Sequence, residues 1–260
     1  MAGDRSYRYG DGLFETMKMV EGEVQLRELH FDRLFAGIQK MNMEWPVHLS
    51  REKLLSAINE LCRKNACEKY GRIRLSVSAG EGGLFDPGRK AHYCVEAWPL
   101  SLEMGQLNSN GLIIGLYENG RKSNDTWSNL KSSSSLLYAM AAMEAKANHW
   151  NDSIVLNTEG TVADTCIANI FMVKDGIIYT PPLKDGGVAG VMRKLMLGHL
   201  ADWGFPVKER SLHTSDFAGA DELFLTNAIR GLRWVKQLDD HQYGHSITTA
   251  VFQKLQTIWK

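Results

Sequence analysis

The sequence is short of the features that mark several protein classes. Its four cysteines, Cys62, Cys67, Cys94 and Cys166, fall at no zinc-ligand or redox spacing, so they read as reduced thiols and imply no metal. Thirty basic residues balance thirty acidic ones. A net charge of zero gives no field to draw in nucleic acid or an anionic membrane. No apolar run is long enough to cross a bilayer; the densest, around Leu136 to Met143, is short and interrupted. The opening residues Met1 to Ser6 are polar, so no secretory leader is expected and a cytoplasmic location is. Histidines are scattered, and no strand–GxGxxG–helix unit announces a dinucleotide.

What is present is a chain of 260 residues with ordinary apolar and charged content, enough for two modest domains. Strand and helix signals mix along it, which predicts an α+β fold. Residues 13–20 alternate as a strand, Glu21-Gly22 turns the chain, and a second strand runs through Val24 and Leu26. Phe31, Leu34, Phe35, Ile38 and Met41 recur at helical spacing; Ser50 is placed to cap a helix carrying Leu54, Leu55, Ile58 and Leu61. Strict alternation over 72–78 predicts a strand, with a partner over 92–98. Weak periodicity after Pro99 divides the chain into a small N-terminal domain (1–100), a connector (101–107) and a larger domain (108–260). In the latter, strands are expected at 112–116, 153–156, 161–163, 169–173, 177–180 and 222–226. A polar loop over 118–129, helices at about 134–148 and 191–203, and a C-terminal helix complete the reading.

The stretch from Asn129 to Arg193 is richest in chemistry. Lys131 follows the polar loop and precedes four serines, whose small side chains let an amine point inward instead of reaching for solvent. Taken alone, a lysine is more often a solvated surface residue. Asp164 sits among Val162, Ala163, Cys166, Ile167 and Ala168, where an unpartnered carboxylate would be costly. Gly187-Val188-Ala189-Gly190 leads into a helix near Val191, and N–H groups at a helix start bind anions.

With Tyr7-Arg8-Tyr9-Gly10-Asp11-Gly12-Leu13-Phe14-Glu15-Thr16, His30-Phe31-Asp32-Arg33-Leu34 and Thr226-Asn227-Ala228-Ile229-Arg230-Gly231, these motifs make the chain resemble the class-IV aminotransferases over nearly its whole length. These are the fold-type IV pyridoxal phosphate enzymes: branched-chain and D-amino-acid aminotransferases and 4-amino-4-deoxychorismate lyases. The resemblance implies a small α/β domain, a larger domain with a barrel-like mixed sheet, pyridoxal 5′-phosphate in the cleft between them, and a homodimer. It gives Lys131 the role of imine-forming catalytic amine and Asp164 that of partner to the ring nitrogen. Arg33, the N–H groups of Val191 and Met192, and the Asn227-Ala228 turn would hold the phosphate. Phe14, Tyr93 and Ile229 would face the substrate.

Two departures stand out. Only eight residues precede Tyr9 where the family has a further strand or hairpin, so a truncated or misassigned start is expected, with one strand edge exposed. Asp164 stands where the family has glutamate. Amino transfer between an amino acid and a 2-oxo acid is the expected reaction. The glycine-rich loop Ser78 to Gly83 resembles that of the lyases, but Leu84 and Phe85 replace the arginine and tyrosine that would follow. Elimination of pyruvate from aminodeoxychorismate is thus the alternative, and an inactive cofactor-binding relative a second.

Overall fold

The computed structural model describes residues 2–101 and 105–259. The chain divides into two compact units, Met1–Met104 with Leu130–Ser135, and Gly105–Asn129 with Leu136–Lys260. Of the expected connector, residues 102–104 lie outside the described residues.

The first unit is a four-stranded antiparallel sheet in the order β2-β1-β3-β4, formed by β1 (Gly12–Val20), β2 (Glu23–Val24), β3 (Tyr70–Ser78) and β4 (His92–Pro99). Glu21 and Gly22 have φ of 46° and 80°, the left-handed pair that a two-residue hairpin requires. Helices α2 (Arg27–Lys40) and α3 (Arg51–Lys64) cover one face. Their expected stripes are the core: Phe31, Leu34, Ile38, Leu54 and Ile58 are buried, with Phe35, Met41, Leu55 and Leu61 packed at its margin. Ser50 Oγ accepts the Lys53 N–H at 3.3 Å, capping α3. Ahead of β1, a short helix α1 (Arg5–Tyr9) had no sequence signal; Asp4 caps it by accepting the Ser6 N–H.

The second unit holds a nine-stranded mixed sheet, its main path β10-β9-β8-β11-β12-β5-β6-β7, with β13 paired to β12. The strands are β5 (Leu112–Lys122), β6 (Asp152–Asn157), β7 (Val162–Thr165), β8 (Asn169–Lys174), β9 (Ile177–Thr180), β10 (Val207–Glu209), β11 (Glu222–Asn227), β12 (Gly231–Leu238) and β13 (His241–Gln242). This sheet has to curl. On the path, β7 lies five strand positions from β8, about 24 Å in a flat sheet. Only Cys166 to Ala168 join the two, and four residue steps span at most about 14 Å. Helices α4 (Leu136–Ala147), α5 (Val191–His199), α6 (Thr214–Phe217) and α7 (Ser246–Gln256) complete the unit. No helix among the described residues is long and apolar enough to cross a membrane.

The structure corrects the sequence reading at several places: β2 stops at Val24 because Leu26 is already the N-cap of α2, the short elements β10, α6 and β13 were not expected, and three larger differences bear on the site. Strand β5 runs on to Lys122, through residues expected to be loop, because parallel pairing with β6 reaches Lys122 opposite Asn157. Strand β12 was missed altogether: Arg233 and Lys236 break its apolar pattern, and it is held by pairing with β11 and β5. Helix α5 stops at His199, and the expected last turn bends away toward Gly204 at φ +87°.

Candidate active site

Lys131 belongs with the first unit because its segment pairs with the start of β1. The Phe14 N–H donates to the Lys131 carbonyl at 3.0 Å, and Ser133 N–H donates to the Gly12 carbonyl at 2.8 Å. Ser132 bridges to Leu13, and Gly10, at φ +69°, has Ser134 against the place where a Cβ would sit. The serines and glycines thus serve a close backbone approach. The Lys131 amine ends 4.4 Å from the centre of the Phe14 ring. The Arg74 guanidinium sits 4.0 Å from the same ring, and burial lowers its pKa below the ordinary arginine value. Sequence reasoning passed over Arg74, which lies in the alternating stretch 72–78 and read only as a strand residue.

Arg33 lies in the same unit. Its Nε and one terminal nitrogen clasp the Glu15 carboxylate at 2.8 and 2.5 Å, while His30 Nδ1 meets that carboxylate at 2.6 Å. Burial alone would raise the Glu15 carboxyl; the Arg33 charge, reinforced by the bonds from His30 and Arg33, outweighs it and holds the group at about 2. The fork fixes the direction of the guanidinium. Tyr93 does not share the Phe14 face. Phe14 is in register with Ser76 and Cys94, whereas Tyr93 aligns with Val77 and the core residue Leu13, on the other face, where it meets Trp45.

The second unit gathers the remaining expected residues. Asp164, on β7, is 2% exposed and has partners within the protein. The Tyr138 hydroxyl donates to its two oxygens at 3.0 and 2.9 Å, and the Val188 N–H donates at 2.9 Å. Lys122 Nζ lies 3.7 Å from Oδ2. Neither Tyr138 nor Lys122 was anticipated, since one looked like helix filler and the other like loop. From Val188 the network continues: its carbonyl accepts from Asn169 Nδ2, and a Cβ at Gly190 would collide with Asn169 Oδ1. Asn169 is in turn in register with Thr226 on β11. The start of α5 and the end of β11 are thereby brought together around Asn169.

That junction has the character of an anion seat. Gly190 precedes α5 with no side-chain cap, so the first N–H groups of the helix, those of Val191 and Met192, are not met by a side chain. Thr226 Oγ1 is buried without a hydrogen-bond partner, an unmet polar group beside the Asn227-Ala228 turn. Asn227 Oδ1 accepts from the N–H groups of Ile229 and Arg230, so the Ile229 N–H is committed to closing the turn. A phosphate would supply the acceptors that Thr226 and the helix start lack, so these residues fit a phosphorylated cofactor.

Enzymes of the pyridoxal phosphate class use an imine-forming amine, a carboxylate and an anion seat. The first unit carries the Lys131 amine over Phe14, and the second carries the buried Asp164 carboxylate and the uncapped start of α5. A match to the amino-transferase class IV family spans residues 12–238, and the chain belongs to that family. It is 31% identical to a branched-chain-amino-acid aminotransferase of Pseudomonas aeruginosa, over 95% of this chain and 82% of that protein. It is 28% identical to an aminodeoxychorismate lyase of Vibrio harveyi, over 88% of this chain and 84% of the other. Among solved structures, a putative 4-amino-4-deoxychorismate lyase from Legionella pneumophila superposes with a TM-score of 0.89 at 26% identity, covering 99% of this chain and 94% of that one. The chain is therefore similar to enzymes of both reactions, and the family is one of pyridoxal phosphate enzymes.

Proposed function

We propose that this protein binds pyridoxal 5′-phosphate through Lys131 and transfers an amino group between an amino acid and a 2-oxo acid. The observation that carries the choice is the pair of cations on one ring: Lys131 and Arg74 both rest on Phe14. An amino acid presents an amine and a carboxylate on the same carbon, and a guanidinium partly withdrawn from water is a strong carboxylate partner. The residues Leu84 and Phe85, exposed at 61% and 96%, supply no charge for a second substrate carboxylate.

In this reading the Lys131 amine would hold the cofactor, and the same amine would move the proton at the substrate α-carbon. Asp164 holds a proton at the ring nitrogen. Val191, Met192, Asn227, Ala228 and Thr226 hold the phosphate, with Arg33 the arginine assigned to it. The cofactor supplies an aldehyde and an electron-accepting ring. A homodimer is part of the proposal, supported by Leu136, Met140 and Met143, exposed at helical spacing along α4.

The test is a paired assay of the purified protein supplied with pyridoxal phosphate. Amino acids offered with 2-oxoglutarate should exchange their amino group. Pyruvate release from aminodeoxychorismate without an acceptor, and no exchange, would replace transfer by elimination.

A further inference from the structure

The Asp164 carboxylate is enclosed by two side chains that the chemistry above does not use. Lys122, at the end of β5, is 9% exposed. Its ammonium donates to the Tyr138 hydroxyl, lies 4.9 Å from the centre of the Tyr138 ring and stands 3.7 Å from Asp164 Oδ2. Tyr138, from α4, donates its own hydroxyl hydrogen bond to the two Asp164 oxygens. The three side chains come from β5, α4 and β7 and form a chain of donors, ammonium to phenol to carboxylate. Such a chain has one sense only, because the ammonium cannot accept and the carboxylate cannot donate.

We infer that Lys122 and Tyr138 are positioning residues that set the charge Asp164 presents to the basic nitrogen of a bound pyridine ring. The inference rests on the cofactor reading above and deepens it. A carboxylate alone would hold a proton firmly on that nitrogen. With an ammonium at 3.7 Å in a buried setting, much of its field is cancelled, and the nitrogen sits closer to its deprotonation midpoint at neutral pH. The phenol donates to both oxygens and fixes the carboxylate's orientation.

The surroundings support this assignment. Burial lowers the Lys122 pKa below the ordinary lysine value, with Asp164, and Asp125 behind it, pulling the other way. Burial and then Asp164 raise the Tyr138 phenol well above its ordinary value, so it stays a donor; Cys166 also faces it, with Asp152 beyond. Cys166 is itself pushed up to about 12, first by burial and then by Asp152, and so remains a neutral thiol. Among the described residues of this cluster, Lys122 is the positive group set against Asp164.

Two measurements test the inference. In the holoprotein loaded with ring-15N pyridoxal phosphate, the nitrogen's titration midpoint, followed by NMR, should rise by about one to two pH units in Lys122→Met. Lys122→Arg, which keeps the charge, should stay near wild type. Should Lys122→Met fail to fold, Lys122→Gln replaces it. An unchanged midpoint in a folded, cofactor-loaded variant overturns the inference. In protein without cofactor, 13C-carboxyl NMR, with Asp164 assigned by its loss in Asp164→Asn, should show the Asp164 midpoint higher in Lys122→Met. No movement there also overturns it. If the carboxyl midpoint moves but even the wild type binds no pyridoxal phosphate, the cofactor reading is what has failed. In that case the role toward a pyridine falls and the ion pair remains a structural one.

Discussion

The buried cluster of Glu15, Arg33 and His30 makes a quantitative prediction about acid stability. Glu15 is 1% exposed and held at about 2 in the folded protein, against about 4.3 in an unfolded chain. At about 1.4 kcal/mol per pH unit, that difference is worth about 3 kcal/mol of folding stability. The sign follows from linkage. A carboxyl depressed by folding stabilises above its unfolded value, and the contribution is lost as pH falls through the folded one, here from about pH 5 to pH 2. His30 acts in the same direction: burial lowers its pKa, so the unfolded ring takes up a proton below about pH 6.5 that the folded ring refuses. Glu15→Gln should therefore lower stability at pH 7 by about 3–5 kcal/mol, because the Arg33 and His30 groups lose their partner. The gap from wild type should then narrow by most of that roughly 3 kcal/mol as pH falls to about 2. Urea unfolding at a series of pH values, followed by circular dichroism, measures both curves. A gap that stays constant with pH would refute the assignment of acid sensitivity to this cluster.

Reduction of the pyridoxal phosphate-loaded protein with borohydride should place the label on Lys131, and a label on Lys122 or any other lysine would displace it from that role. Arg33→Ala should weaken cofactor retention roughly ten- to a hundredfold, the loss of one charge-assisted contact, and equilibrium dialysis reads it directly; retention equal to wild type would show that the α5 start and the Thr226 turn suffice. Asp164→Asn should cut turnover severely while leaving reducible attachment at Lys131 intact, whereas Asp164→Glu should keep or raise activity by restoring the family's reach; normal turnover in the asparagine variant would make Asp164 a structural residue only. Light scattering should return a dimer mass, and a fully active monomer would remove the homodimer from the proposal.

Much of this architecture is written in local sequence. Hairpin turns at Glu21-Gly22 and Asp175-Gly176 take left-handed conformations, which Gly and Asp favour, and the apolar stripes of α2 and α3 form the core of the first unit. Periodicity and turn chemistry act over a few residues, so they are readable before any tertiary contact is known. The motif residues Lys131, Asp164 and Gly190 are legible for the same reason, each sitting in a short stretch of distinctive composition. What the sequence could not carry is the company these residues keep. Lys122 lies 42 positions from Asp164 and belongs to a stretch of polar residues; it becomes a buried cation only because β5 continues beside β6. Arg74 lies 57 positions from Lys131, and the two meet on Phe14 only because the lysine segment hydrogen-bonds along β1. Tyr93 and Phe14 both alternate as strand residues, yet the β1–β3–β4 register sends them to opposite faces. Side-chain period fixes which residues share a face within one strand; the pairing between distant strands decides which face meets which, and here that decided the site's charge.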